Sequence, residues 1–332
     1  MKPVPDLAAR AAASPSSRPW LRTACVAALL AIYAALPFLL GKYAIYTAAQ
    51  VMIYAVATLG LDIVYGRAGQ LSLAHASFFG LGAYVAALAD PLALPLWAQP
   101  EAVLLLAIIA GAIVAVPTLR LSGLRLSLVT LLFGELFTWG INHSSGLTGG
   151  SEGITVNSLT VGGFDSQDAL HAYLLAGALA SGATLLAVQL GRSQYGRRML
   201  AVRDSELASV SVGIPVVRTK IVAFIMSAVF AAVAGWVYAY VVGFVSPTTF
   251  DLFGSVNFMV AVILGGSGRV LGAWFGAAYI VLVPEAFTSL GYPNLFPILG
   301  GGVLVAVALL LPGGLVEGAS LLLSAAAKRV RA

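Results

Sequence analysis

Charged side chains are scarce in this sequence. Of its 332 residues only 9% are Asp, Glu, Lys or Arg, whereas 60% are hydrophobic and the mean hydropathy is +0.97. In a soluble domain about 25% of the residues are charged. A soluble core of this length cannot bury so much apolar surface while presenting so little charge to water. The composition therefore excludes an ordinary soluble enzyme, a nucleic-acid-binding protein and a disordered chain, and it indicates a protein that lies mostly in lipid.

Motifs for catalysis and metal binding are also missing. Cys25 is the single cysteine, so there is no disulfide framework, and the three histidines are far apart in the sequence. No phosphate-binding loop of the form G-x-x-x-x-G-K-[ST] and no H-E-x-x-H zinc motif occurs. We therefore expect no enzyme activity, no metal site and no cofactor in this chain. By elimination it transports a solute or belongs to an assembly that does.

Ten apolar runs approach the length needed to cross a membrane, which is roughly 20 residues. They lie at 23–40, 43–65, 70–89, 102–118, 126–142, 171–190, 220–243, 254–266, 270–289 and 295–312. The run at 254–266 is short and flanked by glycine, which predicts a half-crossing sheltered by protein. The sequence thus predicts an all-α fold, a polytopic integral membrane helix bundle of about ten spans, with eight as the alternative.

The positions of the basic residues predict how these spans are oriented. With the N-terminus in the cytoplasm, 17 of the 18 Lys and Arg residues fall on the cytoplasmic side and only Lys42 falls outside. This distribution satisfies the positive-inside rule, and the opposite orientation would violate it. We therefore predict a cytoplasmic tail at 1–22, a transmembrane domain at 23–315 and a second cytoplasmic tail at 316–332.

Two connections between the predicted spans are long. Residues 143–170 lie outside, are rich in Gly, Ser and Thr, and contain no Lys or Arg, whereas residues 191–219 lie inside and are basic. In the inner connection, Asp204 or Ser205 is suited to cap a short helix, and Gly213 is suited to end it. Two short helices are therefore predicted on the cytoplasmic face. A solvated basic loop and a docking platform for a cytoplasmic partner both remain possible from the pattern alone.

Polar residues inside the predicted spans are candidates for a solute pathway. Gln70, Ser72 and His75 begin the run at 70–89, and Glu135 lies in the middle of the run at 126–142. Such groups are costly in lipid unless they face protein or a cavity, so we interpret these four as pathway residues. Hydrogen bonding to neighbouring helices is the alternative for each of them.

Two further features involve the inner ends of the spans. Asp62 lies close to Arg67 in the sequence, which predicts an ion pair between them. The glycines in Gly265-Gly266-Ser267-Gly268 predict a break between two helices, and broken helices often border transport pathways. Tight helix packing is the alternative for these glycines.

Six segments together resemble a known family. They are GLDIVYGRAGQLSLAHASFFGLGAY (60–84), RLSGLRLSLVTLLFGELF (120–137), LTGGSEGI (147–154), the stretch at 195–252, VILGGSGRVLGAWFGAAYIVLVPE (262–285) and LLLPGGL (309–315). With these segments the sequence resembles the membrane permease subunits of bacterial ABC importers for branched-chain amino acids, of the LivM type. The LivH type typically has an acidic residue after the histidine of the first segment, whereas Ala76 follows His75 here.

The resemblance implies a function and a set of partners. The chain would be the permease subunit of an ATP-driven importer that carries branched-chain amino acids, or a related small polar solute, across the bacterial inner membrane. It would assemble with a second permease of the LivH type, two cytoplasmic ATPase subunits that use the ATP, and a periplasmic solute-binding protein. An ion-coupled secondary transporter of small amino or organic acids, using Glu135, Asp62 or His75 as a titrating group, is the alternative.

The resemblance also implies roles for the two long connections. Residues 191–219 would be the coupling loop that docks on the ATPase, and residues 143–170 would meet the binding protein. The candidate coupling residues are Arg197, Arg203, Asp204, Glu206 and Gly213, of which the last four lie at positions that match the family.

Overall fold

The computed structural model describes residues 41–292, apart from Arg120 and Ser122, and a few single positions outside that range. The chain divides into a short N-terminal unit, Met1–Ile45, and a main unit, Tyr46–Ala332. The described helices are α1 (Lys42–Leu61), α2 (His75–Ala87), α3 (Ala98–Ala115), α4 (Leu124–His143), α5 (Ser145–Thr148), α6 (Ala169–Arg192), α7 (Gln194–Asp204), α8 (Glu206–Ser211), α9 (Val216–Val242), α10 (Leu252–Gly265) and α11 (Val270–Ser289). The predicted tails and most of the predicted spans at 23–40 and 295–312 lie outside the described residues.

Among the residues that the structure describes, six helices are long and apolar enough to cross a membrane. They are α1 together with the π-helical turn Asp62–Arg67 that continues it, α3, α4, α6, α9 and α11. This confirms the prediction of a polytopic membrane helix bundle. The total of ten spans and the orientation of the termini stay predictions.

The run at 70–89 is helical only in its second part. Helix α2 begins only at His75, and its 13 residues rise about 20 Å, which is less than the roughly 30 Å of hydrocarbon. Side chains of other helices satisfy backbone donors just before α2 and in its first turn. The Leu73 N–H donates to Thr130 Oγ1 (2.9 Å), and the Ala76 N–H donates to Ser255 Oγ (3.0 Å). Helix α10, with 14 residues, is also short, as its sequence predicted.

Helix α2 lies in the centre of the main unit and packs tightly on α9. Twelve of its 13 residues are buried. Glycines on both helices allow the close approach: a β-carbon at Gly82 would lie 1.7 Å from the Ala232 carbonyl oxygen, and one at Gly235 would lie 1.8 Å from the Phe79 carbonyl oxygen. Small residues let helix backbones meet in this way within membranes. The contact fixes α2 to the longest helix among the described residues.

The described part of the chain also contains two short pairs of strands, which the all-α assignment did not predict, although the fold is mainly helical. Strand β1 (Ile154–Thr155) pairs antiparallel with β4 (Phe244–Val245), with Ile154 opposite Val245. Strand β2 (Thr160–Val161) pairs antiparallel with β3 (Phe164–Asp165). The β1–β4 pair ties the 143–170 connection to the end of α9.

Candidate coupling and translocation sites

The 191–219 connection folds into two short helices, as predicted. Helix α7 begins after Ser193, whose hydroxyl accepts from the Gly196 N–H (3.2 Å). Helix α8 begins after Ser205, whose hydroxyl accepts from the Ala208 N–H (3.2 Å), so Ser205 and not Asp204 is the cap. Gly213 then has a φ of +78°, a left-handed conformation that favours glycine, and α9 follows Pro215.

Two contacts fasten this connection to the helix bundle. Lys220 Nζ lies 2.7 Å from Glu206 Oε1, and the Lys220 side chain is only 4% exposed, whereas that of Glu206 is 43% exposed. The guanidinium of Arg203 donates a hydrogen bond to the Gly66 carbonyl at the end of α1. The first contact joins α8 to α9, and the second joins α7 to α1. Lys220 was not among the predicted site residues, because nothing in the sequence indicates that this lysine turns inward.

The exposed surface formed by α8 and by Val212, which follows it, is largely apolar. Leu207 is 87% exposed, Val210 is 63% exposed and Val212 is 73% exposed. We call these three residues the docking surface. Of the other predicted coupling residues, Asp204 is exposed, and the exposed Arg197 donates to the Arg192 carbonyl (2.8 Å) within its own connection. The docking surface lies among basic residues and not within a spanning helix, so lipid does not explain its exposure.

Arg203 reaches a compact junction at the end of α1. Asp62 Oδ1 accepts from the Gly268 N–H (2.6 Å), and Asp62 Oδ2 lies 3.7 Å from Arg67 Nε, which confirms the predicted ion pair. A β-carbon at Gly66 would lie 2.5 Å from the Gly268 nitrogen, so the two backbones nearly touch. The predicted glycine break is also present, since α10 ends at Gly265 and α11 begins at Val270. We call the Asp62–Arg67 turn with the 266–269 loop the junction. π-Helical turns are rare in proteins, but those that do occur are often found at functional sites.

His75, the first residue of α2, is held by hydrogen bonds on both ring nitrogens. Its side chain is fully buried, and Nε2 donates to the Ala57 carbonyl (2.7 Å), because a carbonyl can only accept. Nδ1 therefore accepts from the Ser227 hydroxyl (3.3 Å). The Phe258 ring packs against the imidazole at nearly a right angle, with ring centroids 5.3 Å apart. In this conformation His75 joins α2 to α1, α9 and α10.

Gln70 and Ser72 are buried beside the start of α2. The Gln70 Nε2 group donates to the Ala68 carbonyl (3.2 Å), whereas Gln70 Oε1 and Ser72 Oγ have no hydrogen-bond partner among the described residues. The structure thus brings Gln70, Ser72 and His75 together at the non-helical segment that leads into α2. That segment adjoins the junction, because Arg203 packs on Gly69.

Glu135 lies apart from these three residues. It is exposed on the outer face of α4, where Leu132 and Leu136 are each 64% exposed. Thr138 and Asn142 follow it along the helix and lead to an open pocket of about 250 Å³, which Ser151, Thr248 and Asp251 also line. A carboxylate at this depth is costly against lipid. The outer face of α4 therefore suits contact with protein or water better than contact with acyl chains.

A larger pocket, of about 400 Å³, is unsuited to a polar solute. Its lining is almost entirely apolar and comes from four helices: Val56, Leu104, Ala178, Leu179, Gly182, Ala183, Leu186, Val229, Phe230 and Val233. Within the part of the chain that the structure describes, no three His, Cys, Asp or Glu side chains are grouped so as to hold a metal ion.

Comparisons with known proteins find relatives among transport permeases. A family model described as the permease component of branched-chain amino acid transport systems matches residues 43–308. The high-affinity branched-chain amino acid transport system permease proteins LivM of Salmonella typhimurium and of Escherichia coli are each 31% identical over 313 residues, which cover 87% of this chain and 73% of the relative. The LivH permease protein of the same Salmonella system is 26% identical over 284 residues, or 79% of this chain and 90% of the relative. No solved structure matches the chain significantly.

Proposed function

The chain belongs to the family of branched-chain amino acid transport permeases, and we propose that it is the LivM-type membrane subunit of an ATP-driven importer. The solute is a branched-chain amino acid or a related small polar molecule, and the chain is a transport subunit without enzyme activity or a cofactor of its own. The observation that carries this proposal, beyond the family, is the docking surface: an apolar patch outside the spans, fastened to the bundle by Glu206–Lys220 and Arg203–Gly66.

The partners follow from this function. Two ATPase subunits bind the cytoplasmic side of the importer and use the ATP, and one of them contacts Leu207, Val210 and Val212. A second permease of the LivH type completes the membrane part, and a periplasmic binding protein delivers the solute at the 143–170 connection. The similarity to both LivM and LivH proteins supports a pair of related permeases.

We place the chain in the bacterial inner membrane with both termini in the cytoplasm and about ten spans. Contacts within the structure agree with the sides predicted from charge. Arg203 meets Gly66, and both belong to segments predicted inside, whereas Asn157 donates to Asp90 (2.8 Å), and both belong to segments predicted outside. With this orientation the docking surface faces the compartment that holds ATP.

The coupling mechanism follows from how the docking surface is held. Closure of the ATPase pair pushes α7 and α8, and Arg203 carries the movement to the Gly66 carbonyl. Asp62 links the same turn to Gly268, so the end of α1 and the loop between α10 and α11 move together. The bundle then alternates between facing the periplasm and facing the cytoplasm. Arg197, Asp204 and Gly213 shape the connection, and Glu206 anchors it.

The path of the solute is served by Gln70, Ser72, His75 and Glu135. Gln70 and Ser72 offer buried polar atoms without partners, and His75 positions the start of α2. Glu135 faces outward from this chain, toward the second permease, where its carboxylate suits the ammonium group of an amino acid. Few charges lie along the spans, so a zwitterion is able to pass without being trapped.

Leu207→Asp tests the docking role. Because Leu207 is 87% exposed, we expect no loss of thermal stability, but copurification of the ATPase subunits should fall about tenfold, as for a central interface residue. The measurement is a pull-down of the co-expressed ATPase from detergent extracts, with the amount of folded permease held equal. Leu290→Asp is the matched control, since Leu290 is 69% exposed beyond the far end of α11. Undiminished ATPase binding by Leu207→Asp would remove the docking surface from the proposal.

A further inference from the structure

Buried polar atoms without a partner gather in one stretch of the chain. Among the described residues, six buried side-chain nitrogen or oxygen atoms make no hydrogen bond, and four of them belong to Gln70, Ser72, Ser77 and Tyr84. Ser77 is 1% exposed and Tyr84 is 5% exposed. An unpaired buried hydroxyl lowers stability, whereas an apolar group of the same shape would not. Two such hydroxyls on one short helix indicate that they bind a partner in another conformation of the protein.

Ser77 and Tyr84 lie on the side of α2 that faces α4. They are seven residues apart, which is two helical turns or about 10 Å on the same face, and Gly80 lies between them. The Ser77 hydroxyl is 3.3 Å from the position of a β-carbon at Gly134. The Tyr84 ring packs edge-on against Phe137, with centroids 6.4 Å apart. We call this contact the α2–α4 seam; it has a hydroxyl at each end and an aromatic surface between them.

The seam is held more weakly than the opposite side of α2. On that side the backbones of α2 and α9 nearly touch through Gly82 and Gly235. Across the seam, the hydrogen bond that the described residues show is the one from the Leu73 N–H to Thr130, before α2 begins. Of the most apolar 18-residue stretch of α4, only 22% is buried within this chain. Helix α4 is therefore the partner that is able to move away, while α2 stays fixed on α9.

We propose that the α2–α4 seam opens during transport and that Ser77 and Tyr84 become two successive binding positions for the carboxylate of an amino acid. Each hydroxyl donates to the carboxylate as the solute passes, and the Phe137 ring contacts the apolar side chain between them. Neutral donors suit this task, because a fixed cation would hold the carboxylate too strongly to release it. The inference rests on the proposed function and adds Ser77, Tyr84 and Phe137 to its pathway.

Tyr84→Phe and Ser77→Ala test this inference, since each removes a hydroxyl that has no partner in the closed seam. The variants are reconstituted in proteoliposomes with the second permease, the ATPase subunits and the binding protein, and labelled leucine is the probe. We expect thermal stability equal to or above that of the unaltered chain, and leucine uptake lowered about tenfold per variant, as for a lost hydrogen bond to a charged group. ATP hydrolysis should change less than uptake.

Tyr240→Phe is the matched control. Its hydroxyl donates to Gln99 Oε1 (2.6 Å), so this variant should lose stability and keep uptake per folded molecule, the reverse pattern. Leucine uptake at the unaltered rate and KM in both Tyr84→Phe and Ser77→Ala would overturn the inference. Loss of stability together with uptake would also overturn it, because the hydroxyls would then be structural. If the unaltered complex shows no ATP-driven leucine uptake, the assignment of a branched-chain amino acid as the solute fails instead.

Discussion

Gly82→Ala is expected to lower the apparent melting temperature of the protein in detergent by roughly 10 °C, as an overpacked core contact does. The added β-carbon would lie 1.7 Å from the Ala232 carbonyl oxygen, and neither atom can turn away, because the β-carbon is fixed to the α2 backbone and the oxygen belongs to the α9 backbone. Either α2 separates from α9 or the chain does not fold. Because α2 carries His75, Ser77 and Tyr84, the same change should abolish uptake in any molecules that fold. Size-exclusion chromatography after stepwise heating measures the effect.

Gly182→Ala is the control for this change. Gly182 is also in the middle of a helix, but a β-carbon there would meet nothing within 4 Å. Alanine favours a helix over glycine by about 1 kcal/mol, so the control should be as stable as the unaltered protein or slightly more stable. Equal melting temperatures for Gly82→Ala and Gly182→Ala would mean that α2 and α9 do not pack as described.

Arg203→Ala is expected to separate ATP hydrolysis from transport. The ATPase should still bind, because the docking surface is untouched, and hydrolysis should stay within about twofold of normal. Uptake should fall about tenfold, since the variant loses the hydrogen bond by which α7 holds the Gly66 carbonyl. The rates of ATP hydrolysis and of leucine uptake are both measured in the reconstituted complex, and the ratio of uptake to hydrolysis is compared with that of the unaltered protein.

Arg218→Ala is the control, because it removes the same charge from an exposed position in the first turn of α9. Its ratio of uptake to hydrolysis should be normal. A normal ratio in Arg203→Ala as well would show that movement reaches the bundle by another contact, with Glu206–Lys220 the next candidate.

Local signals in the sequence were sufficient to predict several parts of the coupling site. Ser205 and Gly213 delimit α8 because capping and left-handed backbone depend on a few neighbouring residues. The break after Gly265 and the pairing of Asp62 with Arg67 are local in the same sense. The resemblance to LivM-type permeases added the role of this connection, and the family match confirms the resemblance.

Contacts between distant parts of the chain were beyond prediction. The start of α2 depends on Thr130, which is 57 residues from Leu73, and on Ser255, which is 179 residues from Ala76. An apolar run shows no sign of such bonds, so the sequence does not predict that the helix in the run at 70–89 begins only at His75. The same holds for the burial of Lys220 and for the seam hydroxyls of Ser77 and Tyr84. The exposure of the apolar side chains on α8 was also beyond prediction, because it depends on how the 191–219 connection packs against α9.

The energy source for leucine accumulation tests the central proposal most directly. Vesicles that contain this chain, the second permease, the ATPase subunits and the binding protein are supplied with either ATP or an imposed proton or sodium gradient. We predict that labelled leucine accumulates with ATP, and that it does not accumulate with either gradient when ATP is absent. Accumulation driven by a gradient without ATP would contradict the account and identify the chain as an ion-coupled transporter.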